Sequence, residues 1–492
     1  MSSWLVLFIL VAYFGALLLI AYYTSKGAST DDFFVANRQA PWYLVAFGMI
    51  GASLSGVTFI SIPGAVFNPK NPALSSQFSY FQVVLGYVLG YVFIGSVLMP
   101  LYYRLNLISI YGYLEQRLGF WSYKSGAFFF LVSRTVGAAF RIYLAAGVLQ
   151  LALFDAWGVP FWVTAIISIF LIWVYTYRGG IKTIVWTDTM QTSFLVAAVC
   201  VSIYLIKEEL SYSWGQLVGA VADSPYARIF FFEDFNDSRN FFKQFLSGTF
   251  IAIVMTGLDQ DLMQKNLTCK NIGEAQKNMF WFVCVLVVIN LLFLSLGALL
   301  YLYVQAKGIP IPAKTDDLYP MLAFNHFSIF AGVTFLLGIT AATYASADSA
   351  LASLTTSFCV DFLSITQRDE AIRKRWVGRA HIGFSVLLVL VIIVFRWLND
   401  DTVINSLFKA AGYTYGPLLG LFSYGLFTNW AVRDRYVPFV CLFAPIFSYV
   451  LNANSVAWLG GYKFGFEILI VNGLITFLGL VALSKPKVAA AA

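Results

Sequence analysis

Gly51-Ala52-Ser53-Leu54-Ser55-Gly56-Val57-Thr58-Phe59 decides the fold. The stretch lies inside an apolar segment running from about 41 to 66, yet it carries two glycines, two serines and a threonine. A run that only faces lipid would be built from Leu, Ile, Val and Phe. Small residues let a second backbone come close, and glycine eases local unwinding. Unwound backbone at membrane depth is tolerated only where it is buried in protein or lines a cavity. Its freed carbonyls then suit a cation. The same small residues would equally mark a tight helix–helix contact, so both readings stand on this stretch alone.

The composition around it makes that segment one of many. Of 492 residues, 60% are hydrophobic and 11% charged, against about 25% charged in soluble domains. The chain reads as an all-α polytopic membrane protein, with the lipid bilayer as its surroundings. About 13 segments reach or approach the roughly 20 apolar residues that a span needs. They lie near 4–23, 41–66, 78–101, 124–153, 160–177, 183–206, 241–263, 278–305, 328–357, 378–396, 404–427, 436–452 and 466–484. The first is read as a span and not as a cleaved leader, because no basic flank precedes it and no small-residue cleavage site follows. The net charge of +7 is no nucleic-acid footprint, because the basic residues sit in short loops, where they set topology. With the N-terminus outside, 19 of the 31 basic residues fall inside, among them Arg178, Lys265, the Arg368–Arg379 run and Lys487. That bias predicts an outside N-terminus and a cytoplasmic C-terminus in a plasma (inner) membrane. Five scattered cysteines without a CxxC pair argue against a disulfide framework or a metal site. Two distant histidines, His326 and His381, offer no catalytic pair.

Spans two to six and seven to eleven form two possible halves of five. Each half opens with an interrupted helix: Gly51–Phe59 in the first, Ser247 through Gln260 in the second. Paired interruptions at corresponding positions point to a transporter's binding site, and an odd span number inverts the second half. The expected organisation is a leading helix and loop (1–40), a first inverted repeat (41–206), an outer loop (207–240), a second repeat (241–427) and two C-terminal helices with a tail (428–492). The 207–240 stretch, of mixed charge, reads either as an ordered cap or as a plain solvated loop.

Polar groups inside the spans are functional candidates by default. Asp188 opens the sixth span, where it serves an ion or simply the helix N-terminus. In Ala341–Leu351, Ala342, Ser346 and Ser349 recur at i, i+4 and i+7, so they share one face. That face, with two hydroxyls and little bulk, suits a small hard cation, unless the serines only bond back to their own helix. Asp348 falls at its edge. Arg134 and Arg141 lie seven residues apart on one face of the fourth span, about 10 Å along the axis. Each must find an anion or carbonyls, either a substrate carboxylate or a structural acid such as Asp188. Lys409, near the end of its span, can snorkel.

With these motifs in place, the chain resembles the sodium/solute symporter family over about residues 4–484. The resemblance is carried by Gly51–Phe59, Tyr113–Arg117, Gly179-Gly180 with Trp186-Thr187-Asp188-Thr189-Met190-Gln191, Asp259-Gln260-Asp261-Leu262-Met263-Gln264 and Ala341–Leu351. It implies a five-plus-five inverted-repeat transporter fold with an extra leading helix and sodium bound between the second and ninth spans. It places that site on the carbonyls of Gly51, Leu54 and Ala342 and the hydroxyl of Ser346. The family usually has serine where this chain has Ala345, which removes one side-chain oxygen. A second sodium position of some relatives resembles Asp188 with Ser346 and Ser349. For substrate, Ser55, Thr58, Phe78 and Gln82 match cavity positions. Leu286, where the sugar-carrying branch has lysine, argues against a glucose-like cargo.

The expected function is a sodium-coupled symporter that imports a small organic solute by alternating access. The two arginines point to an organic anion or acidic sugar. Sodium is the coupling ion, no bond is made or broken, and a monomer is expected to suffice. A proton-coupled carrier using Asp188 or Asp348 is the alternative within transport. A channel or a transporter-like sensor is the alternative outside it.

Overall fold

The computed structural model describes residues 3–26, 33–34, 36–72, 75–177, 180–398 and 403–485. Arg178, Gly179 and Lys487, named above, lie outside them. Among the described residues the regular structure is helical but for one two-residue strand pair, Ala431–Val432 against Ser484–Lys485, and an isolated bridge between Ala40 and Cys269.

A leading helix α1 (Ser3–Ser25) is followed by the first interrupted element. Helix α2 (Trp42–Ser53) stops at Leu54, whose φ and ψ are −85° and 73°; Ser55 is extended with ψ 177°, and α3 (Gly56–Ala65) resumes at a 52° bend. Serine competes for backbone hydrogen bonds and glycine loses the most entropy in a helix, so this is where the ladder is weakest. Packing keeps it open. A Cβ at Gly51 would collide with the Thr192 hydroxyl, and one at Gly56 with the Thr343 hydroxyl. The two glycines therefore serve both readings at once, a close helix contact and a break.

The first half continues with α4 (Tyr80–Arg104), α5 (Phe120–Trp157), α6 (Phe161–Thr176) and α7 (Gly180–Glu209). The second half opens with α8 (Phe241–Gly257) and α9 (Gln260–Asn266), bent by 68° at Leu258-Asp259. Asp259 is extended there, and its side chain accepts the Asp261 N–H at 2.9 Å, capping α9. Then follow α10 (Ile272–Lys307), α11 (Ile329–Phe362), α12 (Glu370–Leu398), α13 (Val403–Thr414) and α14 (Gly416–Phe427). Helices α15 (Asp434–Ala453) and α16 (Ile468–Ala482) close the chain. Each half begins with a broken element, and each has five spans when α13 and α14, separated by Tyr415 alone, are taken as one.

Among the described residues, eight helices are long and apolar enough to cross a bilayer, or ten with the two bent pairs. The expected count of 13 rests on three shorter apolar helices, α6, α14 and α16. At the centre, α7 packs along α11 and α2, and the break in α2 lies against both α7 and α11.

The 207–240 stretch is an ordered cap. It contains a helix at Trp214–Ala222 that opens with a Ser213/Gln216 capping box. Arg228 and Arg239 both lie over the Phe231 ring, at 4.4 and 4.7 Å. The Tyr113–Arg117 motif is structural: Arg117 donates to the carbonyls of Gly425, Thr428 and Trp430, closing the end of α14.

Candidate functional site

Leu54 N–H still reaches the Ile50 carbonyl at 2.8 Å, and the helical ladder of α2 then ends. The carbonyls from Gly51 to Leu54 therefore lie where a helix has no donors left to offer. Gly51 itself packs between α7 and α11: a Cβ there would collide with the Thr192 hydroxyl and stand 3.6 Å from the Ala345 Cβ. The structure thus brings Gly51 and its turn against the 342–346 segment, with Ala345 turned to the break where a serine would present a hydroxyl. Ser346 Oγ donates to the Thr343 carbonyl at 3.0 Å. This is the back-bonded form, and it leaves the oxygen's lone pairs free for a cation. The Thr343 hydroxyl, which faces Gly56, is buried without a hydrogen-bond partner among the described residues. It is an additional oxygen candidate that the i, i+4, i+7 pattern did not include.

Asp188 and Ser349 are engaged elsewhere. Lys265 Nζ lies 2.5 Å from Asp188 Oδ2, with side-chain exposures of 1% and 0%. Ser349 Oγ donates to Asp261 Oδ1. The expectation that both ligate sodium meets other partners in this structure: Asp188 Oδ2 faces an ammonium, and the Ser349 hydroxyl turns its proton to a second carboxylate. A buried carboxylate takes the nearest fixed cation, because an unpaired charge there is costly. The charge bias predicts Lys265 in a cytoplasmic loop; the bend at Asp259 turns it inward instead.

Lys265 belongs to a polar hub. All seven residues of α9 are buried. Gln260 bridges the Ile108 carbonyl and the Ile110 N–H at 2.8 and 3.0 Å. Asp261 pairs with Arg134 as well as Ser349. Gln264 donates to the Phe34 carbonyl and to Thr356. Tyr415 donates to Asp259. Asp348 sits apart, accepting from Tyr175 at 2.9 Å.

The substrate candidates divide. Ser55, Thr58 and Arg141 line one cavity of about 80 Å³, together with Tyr80, Tyr87, Tyr91, Thr256, Leu286 and Asn290. Arg141 has no hydrogen bond or ion pair among the described residues, and its Nε is buried without a partner. Arg134, seven residues earlier, is committed to Asp261. The two guanidiniums therefore differ in surroundings: one meets an acid and the other lines a cavity.

Phe78 and Gln82 do not line this cavity. Gln82 donates to the Arg239 carbonyl at 2.8 Å and accepts the Phe231 N–H at 3.3 Å, holding the cap. Phe78 is 4% exposed in the core, and its N–H bonds the Arg228 carbonyl. Both face the cap because α4 starts beneath it. The cavity-facing side of α4 is Tyr80, Tyr87 and Tyr91, a one-face spacing visible in the sequence. Tyr80 and Tyr87 hydroxyls are 3.1 Å apart, and Tyr91 meets Thr256 at 3.2 Å.

A larger vestibule of about 440 Å³ lies on the cap side, lined by Asn68, Gln77, Arg239, Gln244 and Lys409 among others. Tyr80, Ile404 and Phe408 border both spaces. They form the partition between vestibule and inner cavity.

The model of the sodium:solute symporter family matches residues 33–433. The chain is 25% identical to a sodium/sialic acid symporter of Aliivibrio fischeri, covering 95% of this chain and 92% of the relative. It is 26% identical to the sodium-coupled monocarboxylate transporter 1 of Mus musculus, covering 94% of this chain and 72% of the relative. A solved Na+-coupled sialic acid symporter, in a substrate-bound outward-open state, matches with a TM-score of 0.81 at 21% identity, covering 98% of each chain. That likeness establishes the five-plus-five inverted-repeat fold.

Proposed function

The chain belongs to the sodium:solute symporter family, and from that membership we propose that it imports a small organic anion whose carboxylate is held by Arg141. As a sodium-coupled symporter of the membrane it moves its cargo without making or breaking bonds. The observation that carries the anion reading is the unpaired Arg141 in the cavity that also holds Ser55 and Thr58. Guanidinium binds a carboxylate through two parallel hydrogen bonds, and the two hydroxyls stand beside it at the break.

Between the two anion classes carried by the relatives, the cavity favours a short monocarboxylate over an acidic sugar. Its volume of about 80 Å³ is well below the roughly 300 Å³ at which drug-sized ligand pockets begin. Leu286 lines it in place of a polar side chain. A nine-carbon acidic sugar would need the Tyr80–Phe408 partition to open into the vestibule.

The coupling sodium belongs at the α2 break, on the carbonyls of Gly51, Leu54 and Ala342 with the hydroxyl of Ser346. An all-oxygen set suits a hard cation. Sodium there would order the break whose other side, Ser55 and Thr58, meets the cargo. Each ligand then tightens the other by the same factor. Topology follows the basic residues, with the cap outside and the Arg368–Arg379 loop cytoplasmic.

Uptake into proteoliposomes tests the reading. A short monocarboxylate is taken up with sodium and not with choline, and a protonophore at clamped voltage leaves uptake unchanged. Uptake of the acidic sugar alone would reverse the order of the two cargo classes. Uptake that survives choline and collapses with the protonophore would favour the proton-coupled alternative.

A further inference from the structure

The pair Lys265–Asp188 has no part in the sodium and cargo sites just described, yet it is the best-sealed ion pair among the described residues. Nζ and Oδ2 are 2.5 Å apart, and neither side chain is more than 1% exposed. The other carboxylate oxygen, Asp188 Oδ1, is buried with no hydrogen-bond partner among the described residues.

The ammonium is delivered from the other half of the chain. Asp188 is on α7, in the first half, and Lys265 is in the last turn of α9, just past the second break. Gln260, Asp261 and Gln264 pin α9 on its other sides, so Lys265 is held against α7. Gly48 on α2 leaves room for this approach: a Cβ there would stand 3.0 Å from the Asp188 Cβ. A carboxylate withdrawn from water needs a cation in contact. A lysine ammonium is a compact point charge of the same sign and charge as a sodium ion, with the difference that it cannot leave.

We infer that the Lys265 ammonium is a built-in cation holding the position beside Asp188, so that Asp188 takes no sodium and this chain binds one coupling sodium, at the α2 break. The inference rests on sodium coupling and not on the identity of the organic cargo. Removing the ammonium should convert the position into a second sodium site, with Asp188 Oδ2 released and Oδ1 already without a partner among the described residues.

Equilibrium binding of sodium-22 to the purified full-length protein counts ions without any cargo. Wild type should saturate at about one sodium per chain. Lys265→Ala removes the charge and opens the space of the stem, and should gain about one more. Lys265→Ala combined with Asp188→Asn should lose that gain, and Lys265→Arg, which keeps the charge, should not show it. Two sodium ions on the wild type, or no gain in a Lys265→Ala protein that keeps its melting temperature, would overturn the inference. If Lys265→Ala does not fold, Lys265→Met is read by the same criterion. Should neither fold, the wild-type count alone decides between one and two. The gain reports on Lys265, whereas the wild-type count reports on the break. A wild type that binds none beside a Lys265→Ala that binds one supports the role of Lys265 and counts against the α2 site.

Discussion

The rings of Tyr80 and Phe408 stack with centroids 6.4 Å apart and planes at 23°, on the boundary between the inner cavity and the vestibule. Phe408 is backed by Phe466, with ring centroids 4.6 Å apart. An aromatic pair of this kind contributes about 0.5–1.5 kcal/mol beyond its buried area. Opening the partition therefore competes against a contact of that size.

Phe408→Ala should shift the partition toward open by about two- to twelvefold, the ratio that corresponds to that energy. A cysteine placed at Thr58, beneath the partition, would be modified faster by a membrane-impermeant thiol reagent by the same factor. An unchanged rate would show that another contact closes the cavity.

Arg141→Lys should weaken cargo binding by about tenfold or more, because lysine keeps the charge and loses the two-pronged geometry. Its melting temperature and sodium binding should stay at wild-type values, since Arg141 holds no other group among the described residues. Arg134→Met should do the reverse. It strands the buried Asp261 carboxylate, and breaking a buried pair costs about 3–5 kcal/mol. Melting curves beside binding isotherms separate the two. A thermal shift in Arg141→Lys equal to that of Arg134→Met would remove the distinction.

Ser346→Ala should raise the sodium concentration for half-maximal uptake by about tenfold, equivalent to 1.4 kcal/mol, with little change in expression. Ala345→Ser should lower it, because Ala345 faces the turn of Gly51 and a hydroxyl there adds an oxygen ligand. Sodium titrations of uptake on the two variants check both signs. Shifts in the same direction would place the ion elsewhere.

Gln82→Ala should loosen the cap without touching the cargo site. Gln82 donates to the Arg239 carbonyl and accepts the Phe231 N–H, and leaving such groups unpaired costs about 1–3 kcal/mol. Limited proteolysis between residues 207 and 240 should accelerate several-fold, with the half-saturating cargo concentration unchanged. A raised half-saturating concentration with an intact cap would return Gln82 to the cargo site.

Hydropathy and residue size, read along one dimension, were enough for the membrane class, the two halves and both breaks. Lipid demands long apolar runs, and a polar, glycine-bearing interruption stands out against them at Gly51–Phe59 and again before Gln260. The shared helical face of Ala342, Ser346 and Ser349 was legible for the same reason, since the period of a helix is local. Partnership was not. Asp188 could have met Arg134, Arg141, sodium or nothing, and only the packing of α9 against α7 delivered Lys265 to it. Ser349 shares a face with Ser346 but bonds Asp261, because α9 lies against that end of α11. Gln82 left the cavity for the cap because the start of α4 lies beneath it, while Tyr80, Tyr87 and Tyr91 turned inward. Of two arginines indistinguishable in sequence, one found an acid and the other a cavity. A buried charge is satisfied by whatever the fold brings within contact distance, and contacts between elements dozens of residues apart in the chain are set by tertiary packing, not by local sequence.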